Sequence, residues 1–126
     1  KNECLNYKYV YNANYPVSKL ATKISESKKI FLSLKNLEHQ IKTQRGESKR
    51  PYGVGLLISG YDVAGPKLYR TCPSGNLYEY YCTAIGARSQ TANTYLENHI
   101  DEFPTMNLDG MISTAIAAMK KAQDIE

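Results

Sequence analysis

The sequence has no tryptophan, only two phenylalanines and two histidines, and three cysteines among its 126 residues. An odd number of cysteines without a Cys-x-x-Cys pair fits neither a disulfide scaffold nor a zinc site. His39 and His99 lack a second ligand-type residue at metal spacing, and two histidines give little support to a histidine-based triad. We therefore expect reduced thiols, a reducing compartment, no metal and no cofactor.

Long apolar runs are also missing. No stretch approaches the roughly 20 apolar residues that a membrane helix needs, and the start, KNECLNYKYV, has no signal-peptide hydrophobic region. The composition is 42% hydrophobic and 22% charged, which is typical of a globular protein. We expect one globular domain with no membrane association and no export.

The net charge of +4 is modest, and its densest basic patch is Lys42 to Arg50, KTQRGESKR. Nucleic-acid surfaces of this kind usually interleave aromatic residues, which this patch lacks. A solvated basic loop before a strand is the preferred interpretation, and we expect no nucleic-acid partner.

Helical patterns dominate the first part of the chain. Residues Lys1 to Lys29 predict two helices separated at Asn14-Tyr15-Pro16, because proline cannot continue the first helix but can open the second. Ile30 to Ile41 either extends the second helix or forms a short strand at IFLSL, since short apolar runs are ambiguous. The apolar face predicted for the second helix consists of Val17, Leu20, Ala21 and Ile24.

The stretch RPYGVGLLISGYD carries three glycines around an apolar run. A phosphate-binding loop would need a helix immediately after the glycines, and none is predicted here. The pattern instead predicts a strand with apolar residues on both faces, a turn over Tyr61 to Pro66 and a second strand over Lys67 to Cys72. Pro73 to Asn76 predicts another turn, followed by a strand from Leu77 to Ile85. The three strands form an antiparallel meander that places Cys72 near Leu77 and away from Cys82.

Two further helices follow Gly86. The first is expected to end at Pro104, and Asn107 is the candidate N-cap of the second. Both would cover the sheet, and a three-strand sheet is narrow for four helices, which predicts further strands at one or both ends. The expected buried faces are Ala92, Tyr95, Leu96, His99, Ile100 and Phe103 in the first helix, and Leu108, Met111, Ile112, Ala115, Ile116 and Met119 in the second.

Several blocks together resemble the middle of proteasome α-type subunits: RPYGVGLLISGYD, DVAGPKLYRTCPSG, AIGARSQ, and upstream NECLNYKYVYNANYPVSKLA. The resemblance implies an α+β fold, the N-terminal-nucleophile hydrolase α/β/β/α sandwich, of which residues 1–126 would be the central portion of one domain. It also implies that the gating tail, first strands and last strands of the family lie outside this stretch. Residues 30–49 resemble an insertion or loop, and GESK at 46–49 replaces a shorter linker.

The resemblance implies a non-catalytic structural subunit of the α ring of the 20S core. The expected roles are ring assembly, substrate gating and regulator docking in ubiquitin-dependent degradation, and the expected location is cytoplasm and nucleus. The implied partners are other α subunits, β-ring subunits and regulatory particles. The helix pair in Lys1 to Lys29 matches the region that faces the β ring. The possible subunit-contact residues are Arg50, Pro51, Tyr52 and Gly53.

Two alternatives stay open at this point: a catalytic β-type threonine protease subunit, and a stand-alone interaction domain of the same fold. Catalysis in this fold needs an N-terminal threonine whose own amine acts as base. Lys1 is not a threonine, and Thr22 and Thr43 are internal and have no free α-amine. We therefore expect no catalytic residue.

Overall fold

The computed structural model describes the backbone of residues 2–38 and 53–123, and the side chains of residues 2–29 and 53–123. The chain divides into two compact units, Lys1–Glu79 and Tyr80–Glu126. Helices and an antiparallel sheet occupy separate stretches of the chain, which confirms the predicted α+β class. The elements are α1 (Asn2–Tyr11), α2 (Val17–Glu38), β1 (Leu56–Asp62), β2 (Gly65–Thr71), β3 (Leu77–Glu79), α3 (Ser89–Glu97), a 3-10 helix (Ile100–Thr105) and α4 (Leu108–Gln123).

The predicted break between the first two helices is confirmed. Asn12, directly after α1, has a positive φ of 49°, which a helix cannot continue. Pro16 precedes α2, and its carbonyl accepts the N–H of Leu20 at 3.1 Å. Helix α2 then runs to Glu38, so residues 30–38 are helical and the strand alternative for IFLSL is wrong. The remaining residues, 39–49, of the segment predicted as an insertion or loop lie outside the described residues.

The core of the first unit lies between α2 and one face of the sheet. Val17, Ala21 and Tyr69 form its buried cluster, and Ile58 and Leu77 pack against it. Helix α2 contributes residues spaced by four, and β1 contributes alternate residues, as an amphipathic helix on a sheet requires. The helix face predicted from the sequence is thus the packed one.

The sheet is an antiparallel meander in the order β1-β2-β3, as predicted. The first turn is much shorter than predicted, because Tyr61 pairs with Pro66 and Asp62 pairs with Gly65. Only two residues remain to connect the strands. This tight reversal depends on Gly65, whose φ of +96° is readily adopted only by glycine.

The second turn is confirmed, with the Cys72 N–H donating to the Asn76 carbonyl at 2.9 Å. The strand after it was predicted from Leu77 to Ile85 but ends at Glu79. Within the second unit, the N–H and C=O of Ala84 are both bonded to the side-chain amide of Asn93, at 2.7 and 3.3 Å. A helix side chain therefore takes the place of a neighbouring strand at this point.

In the second unit, α3 ends at Glu97, earlier than predicted. The chain continues as a 3-10 helix that contains Pro104, so Pro104 does not end the run as a helix stop. The His99 N–H already donates to the carbonyl three residues earlier, that of Leu96, which marks the change to the tighter helix. Asn107 is confirmed as the cap of α4, since its Oδ1 accepts the Gly110 N–H at 2.8 Å.

The buried face predicted for α4 is wrong. Within the described residues of α4, Ala118 is the buried one, and the large apolar side chains of this helix are exposed. Helix α4 packs on α3, and its less exposed residues are small and spaced by about four. Small side chains let two helices approach closely, so the bulkier face is left outside. These small residues are Gly110, Thr114, Ala118 and Ala122.

Candidate interaction surfaces

Of the predicted subunit-contact residues, only Gly53 lies among the described residues. It is exposed, and a Cβ added to it would meet nothing within 4 Å. Arg50, Pro51 and Tyr52 lie outside the described part of the chain. Two residues further on, Gly55 is crowded, because a Cβ there would lie 3.2 Å from the Thr71 carbonyl oxygen. The predicted contact segment therefore leads directly into a closely packed start of β1.

A buried lysine lies next to the residues that lead into β1. Lys28 in α2 is 3% exposed, and its Nζ donates to Thr71 Oγ1 at 2.9 Å and to the Val54 carbonyl at 3.0 Å. Thr71 is fully buried. No sequence pattern predicts this arrangement, because a lysine near the end of an apolar helix face is normally assigned to solvent.

Two more polar links fasten α2 to the sheet. Ser25, also buried, donates its hydroxyl proton to the Gly75 carbonyl in the second turn. Asp62, at the end of β1, accepts the Val17 N–H at the start of α2 at 3.1 Å and the Ala64 N–H in the first turn at 2.9 Å. A single carboxylate thus caps the helix and closes the hairpin. The links occur near the start, middle and end of the part of α2 whose side chains are described.

Helix α1 presents an exposed apolar and aromatic surface. None of its residues is buried, and Tyr9 is 92% exposed. The Tyr7 ring packs against the rings of Tyr11 and Tyr15, with centroids 4.4 Å apart in each pair and ring planes tilted by 35° and 52°. Exposed aromatic residues that are held in place by neighbours are typical of protein interfaces. The exposed large hydrophobic residues of α1 are Leu5, Tyr9, Val10 and Tyr11.

A second apolar surface is the face of the sheet opposite α2. In β1 the residues alternate between partly buried and exposed. Tyr61 is 82% exposed, and Leu57 and Tyr78 are also exposed.

In the second unit, the bulky face of α4 is a third apolar surface, formed by Leu108, Met111, Ile112, Ile116 and Met119.

The side chains that could take part in catalysis either contact other groups or lie apart from one another. His99 Nδ1 lies 2.8 Å from the Tyr95 carbonyl oxygen, and the two ring centroids are 4.4 Å apart with the ring planes tilted by 35°. His99 is partly buried, but it lies between α3 and the 3-10 helix and not on a helix face as predicted. Cys4, Cys72 and Cys82 are free thiols. Burial, and secondarily the negative charge of Glu97, raises the pKa of Cys82. Within the described ranges there is no cluster of three potential metal ligands and no helix long and apolar enough to cross a membrane. His39 lies outside those ranges.

The family is shown by comparison with known proteins. The proteasome subunit family model matches residues 1–126, so the chain belongs to the proteasome subunit family. The fold class is accordingly that of the N-terminal-nucleophile hydrolases, of which this chain contains helices and a small antiparallel sheet.

Within the family, the similar relatives are of the α type. The chain is 44% identical to the proteasome subunit alpha type-1 of Dictyostelium discoideum over 96% of its length and 44% of the relative. It is 41% identical to the alpha type-1 subunit of Trypanosoma brucei rhodesiense over 97% of its length and 41% of that protein. It is 38% identical to the probable alpha type-6 subunit of Schizosaccharomyces pombe over 95% of its length and 40% of that protein. The chain spans about two fifths of the length of these curated relatives.

Proposed function

We propose that this chain is part of a non-catalytic subunit of the outer α ring of the 20S proteasome core, in the position of an alpha type-1 subunit. Its roles there are ring assembly, control of substrate entry and docking of regulators in ubiquitin-dependent protein degradation. The observation that carries the proposal is the match of the whole stretch to α-type subunits, with alpha type-1 relatives at 44% and 41% identity.

The threonine chemistry of the described residues supports a non-catalytic role. An enzyme of this fold needs a threonine hydroxyl beside its own free amine, open to the substrate. Thr71 has a lysine amine 2.9 Å from its hydroxyl, but it is fully buried at the end of β2. A substrate carbonyl has no access to it. The α-type relatives likewise disfavour the catalytic β-type alternative.

The exposed apolar surfaces are suited to assembly. The α1 surface, with Tyr9, Val10 and Leu5 open to solvent, is proposed to contact the β ring, which is the region that the resemblance assigns to this helix. The outer face of the sheet and the bulky face of α4 are proposed to be covered by the other layers of the sandwich in the full subunit. Each surface is apolar enough to favour burial against a matching partner.

The Arg50–Gly53 segment is proposed as a contact with a neighbouring ring subunit. Gly53 is exposed, and the segment joins a strand whose start is fixed by close contacts. An arginine and a tyrosine are well suited to interfaces, because both combine a large contact area with hydrogen bonding. We further propose that the subunit acts in the cytoplasm and nucleus, with other α subunits, β-ring subunits and regulatory particles as partners, and without binding nucleic acid or membranes.

The test is co-purification of the full-length parent protein, tagged in its own cells, with identification of partners by mass spectrometry. A fluorogenic peptide-hydrolysis assay on the eluate measures associated protease activity. We expect α and β subunits of the proteasome to elute together with threonine-protease activity. Elution of the protein alone and without activity would overturn the proposal and favour a stand-alone domain.

A further inference from the structure

The direction of helix α1 is not fixed by a buried face. None of its residues is buried, so no packed apolar stripe sets its angle as one does for α2. It is joined to α2 by residues 12–16, a short connection that begins at the left-handed Asn12 and ends at Pro16. Irregular connections of this kind can take many conformations. The direction of α1 therefore depends on particular side-chain contacts.

One contact joins α1 to α2, and another joins α1 to the connection before α2. The Lys23 ammonium group donates a hydrogen bond to the Glu3 carboxylate and forms an ion pair with it, across 20 residues of the chain. The Tyr7 ring packs against the Tyr15 ring, with centroids 4.4 Å apart. Glu3 and Tyr7 are one helical turn apart and lie on the same side of α1. Both contacts thus hold one side of the helix.

The opposite side of α1 carries exposed apolar residues. Leu5 and Tyr9 each follow one of the two contact residues by two positions, which places them about 200° around the helix. Leu5 is 58% exposed and Tyr9 is 92% exposed. Because they are also one turn apart, they share this outward side. The two contacts therefore determine where the outward side of α1 points.

We propose that the ion pair of Lys23 with Glu3 and the ring packing on Tyr15 together set the angle of α1 relative to α2, and thereby present the outward side of α1 to a β-ring subunit. The second half of this inference rests on the proposed function, whereas the first half concerns the protein by itself. Both members of the ion pair are about half exposed, so the pair adds little to stability. Its effect is on orientation, because a surface that is already held in its bound direction loses less freedom on binding.

The first test measures the ion-pair contact by zero-length cross-linking of the full-length parent protein with a water-soluble carbodiimide. This reagent joins a carboxylate to an amine where the two groups touch, and peptide mass spectrometry identifies the amide that forms. We expect a cross-link between Glu3 and Lys23 in the wild type. The ion pair of Lys67 with Glu79 within the sheet provides an internal standard. Absence of the Glu3 cross-link beside a clear internal standard would overturn the proposal.

Tyr7→Ala tests whether the ring packing and the ion pair act together. Without the Tyr7 ring, α1 should spend less time in the direction that brings Glu3 to Lys23, so the yield of their cross-link relative to the internal standard should fall about threefold. Tyr9→Ala is the matched control, because Tyr9 is an aromatic residue on the outward side of the same helix. It should leave the yield within about 1.5-fold of the wild type. A wild-type yield in Tyr7→Ala, or equal losses in both variants, would contradict the proposal.

The second test measures assembly by exchanging the two charges. Glu3→Lys and Lys23→Glu each place like charges side by side, whereas the double variant restores the ion pair with its partners exchanged. Tagged full-length protein with either single change should recover about threefold less of the β subunits than the wild type, and the double variant should recover wild-type amounts. Lys19→Glu, one turn earlier on α2, makes the same change in net charge and should leave recovery within about twofold.

Recovery by the double variant as low as that of the single variants, or an equal loss in Lys19→Glu, would overturn the role of the ion pair in subunit contact. If the wild type itself recovers no proteasome subunits, the proposed function fails, and cross-linking alone then decides whether the two contacts set the angle of α1.

Discussion

Asp62 offers a sharp test of how α2 is joined to the sheet. Its carboxylate accepts one N–H at the start of α2 and one in the first turn, so Asp62→Ala removes a helix cap and a turn bond together. A lost cap costs about 1 kcal/mol, and a lost turn hydrogen bond costs about another 1 kcal/mol. We therefore expect a loss of about 2 kcal/mol in the free energy of unfolding.

Asp62→Asn is the matched comparison. Asparagine has a single acceptor oxygen, so it can replace only one of the two carboxylate oxygens that accept these N–H groups, and we expect it to lose about 1 kcal/mol for the other bond. Urea denaturation of the full-length parent protein gives both values, and hydrogen exchange at Val17 shows whether the helix start is affected locally. If Asp62→Ala costs less than about 0.5 kcal/mol, or if Asp62→Asn is as stable as the wild type, the double capping role is wrong.

Three further outcomes are expected. Gly75→Ala should lower the free energy of unfolding by about 3 kcal/mol, because Gly75 has a φ of +82° and a Cβ there would lie 3.0 Å from backbone atoms of α2. Gly65→Ala should lower it by only about 1–2 kcal/mol, because Gly65 has a φ of +96° but a Cβ there would meet nothing within 4 Å. Equal losses for the two variants in urea denaturation would contradict this reasoning. Cys82 should be alkylated more slowly at pH 8 than a free cysteine peptide, since its raised pKa lowers the thiolate fraction. Peptide mapping of alkylation against pH checks this, and a midpoint at or below that of the free cysteine peptide would refute it. Tyr9→Gln with Val10→Gln should change stability by no more than about 0.5 kcal/mol yet abolish co-purification with β subunits, and undiminished co-purification would show that α1 is not the contact.

Local patterns were sufficient to predict most of the first unit. The break at Pro16, the apolar face containing Val17 and Ala21, and the order of the three strands follow from proline chemistry and from periodicity. The errors occurred where a side chain takes over a backbone role. Asp62 and Asn93 do this in the first turn and beside Ala84, and sequence spacing does not reveal such long-range bonds.

The packing of α4 and the position of Lys28 could not be predicted for a different reason. Apolar periodicity identifies the bulky face of a helix, but α4 packs on α3 through small residues such as Ala118. A four-residue spacing of glycine, threonine and alanine was the available signal. For Lys28, burial depends on acceptors 43 residues away along the chain, at Thr71, which no local pattern records.

Because the chain is synthesised from its N-terminus, the packing of α2 on the sheet is delayed until the strands have been made. Lys28 emerges from the ribosome 43 residues before Thr71, so at about 5–20 residues per second α2 has to wait about 2–9 s for the hairpin that it packs against. The β1–β2 hairpin pairs residues that are close in sequence and can form soon after it is made. Until then the apolar face of α2 is open to other nascent chains and to chaperones.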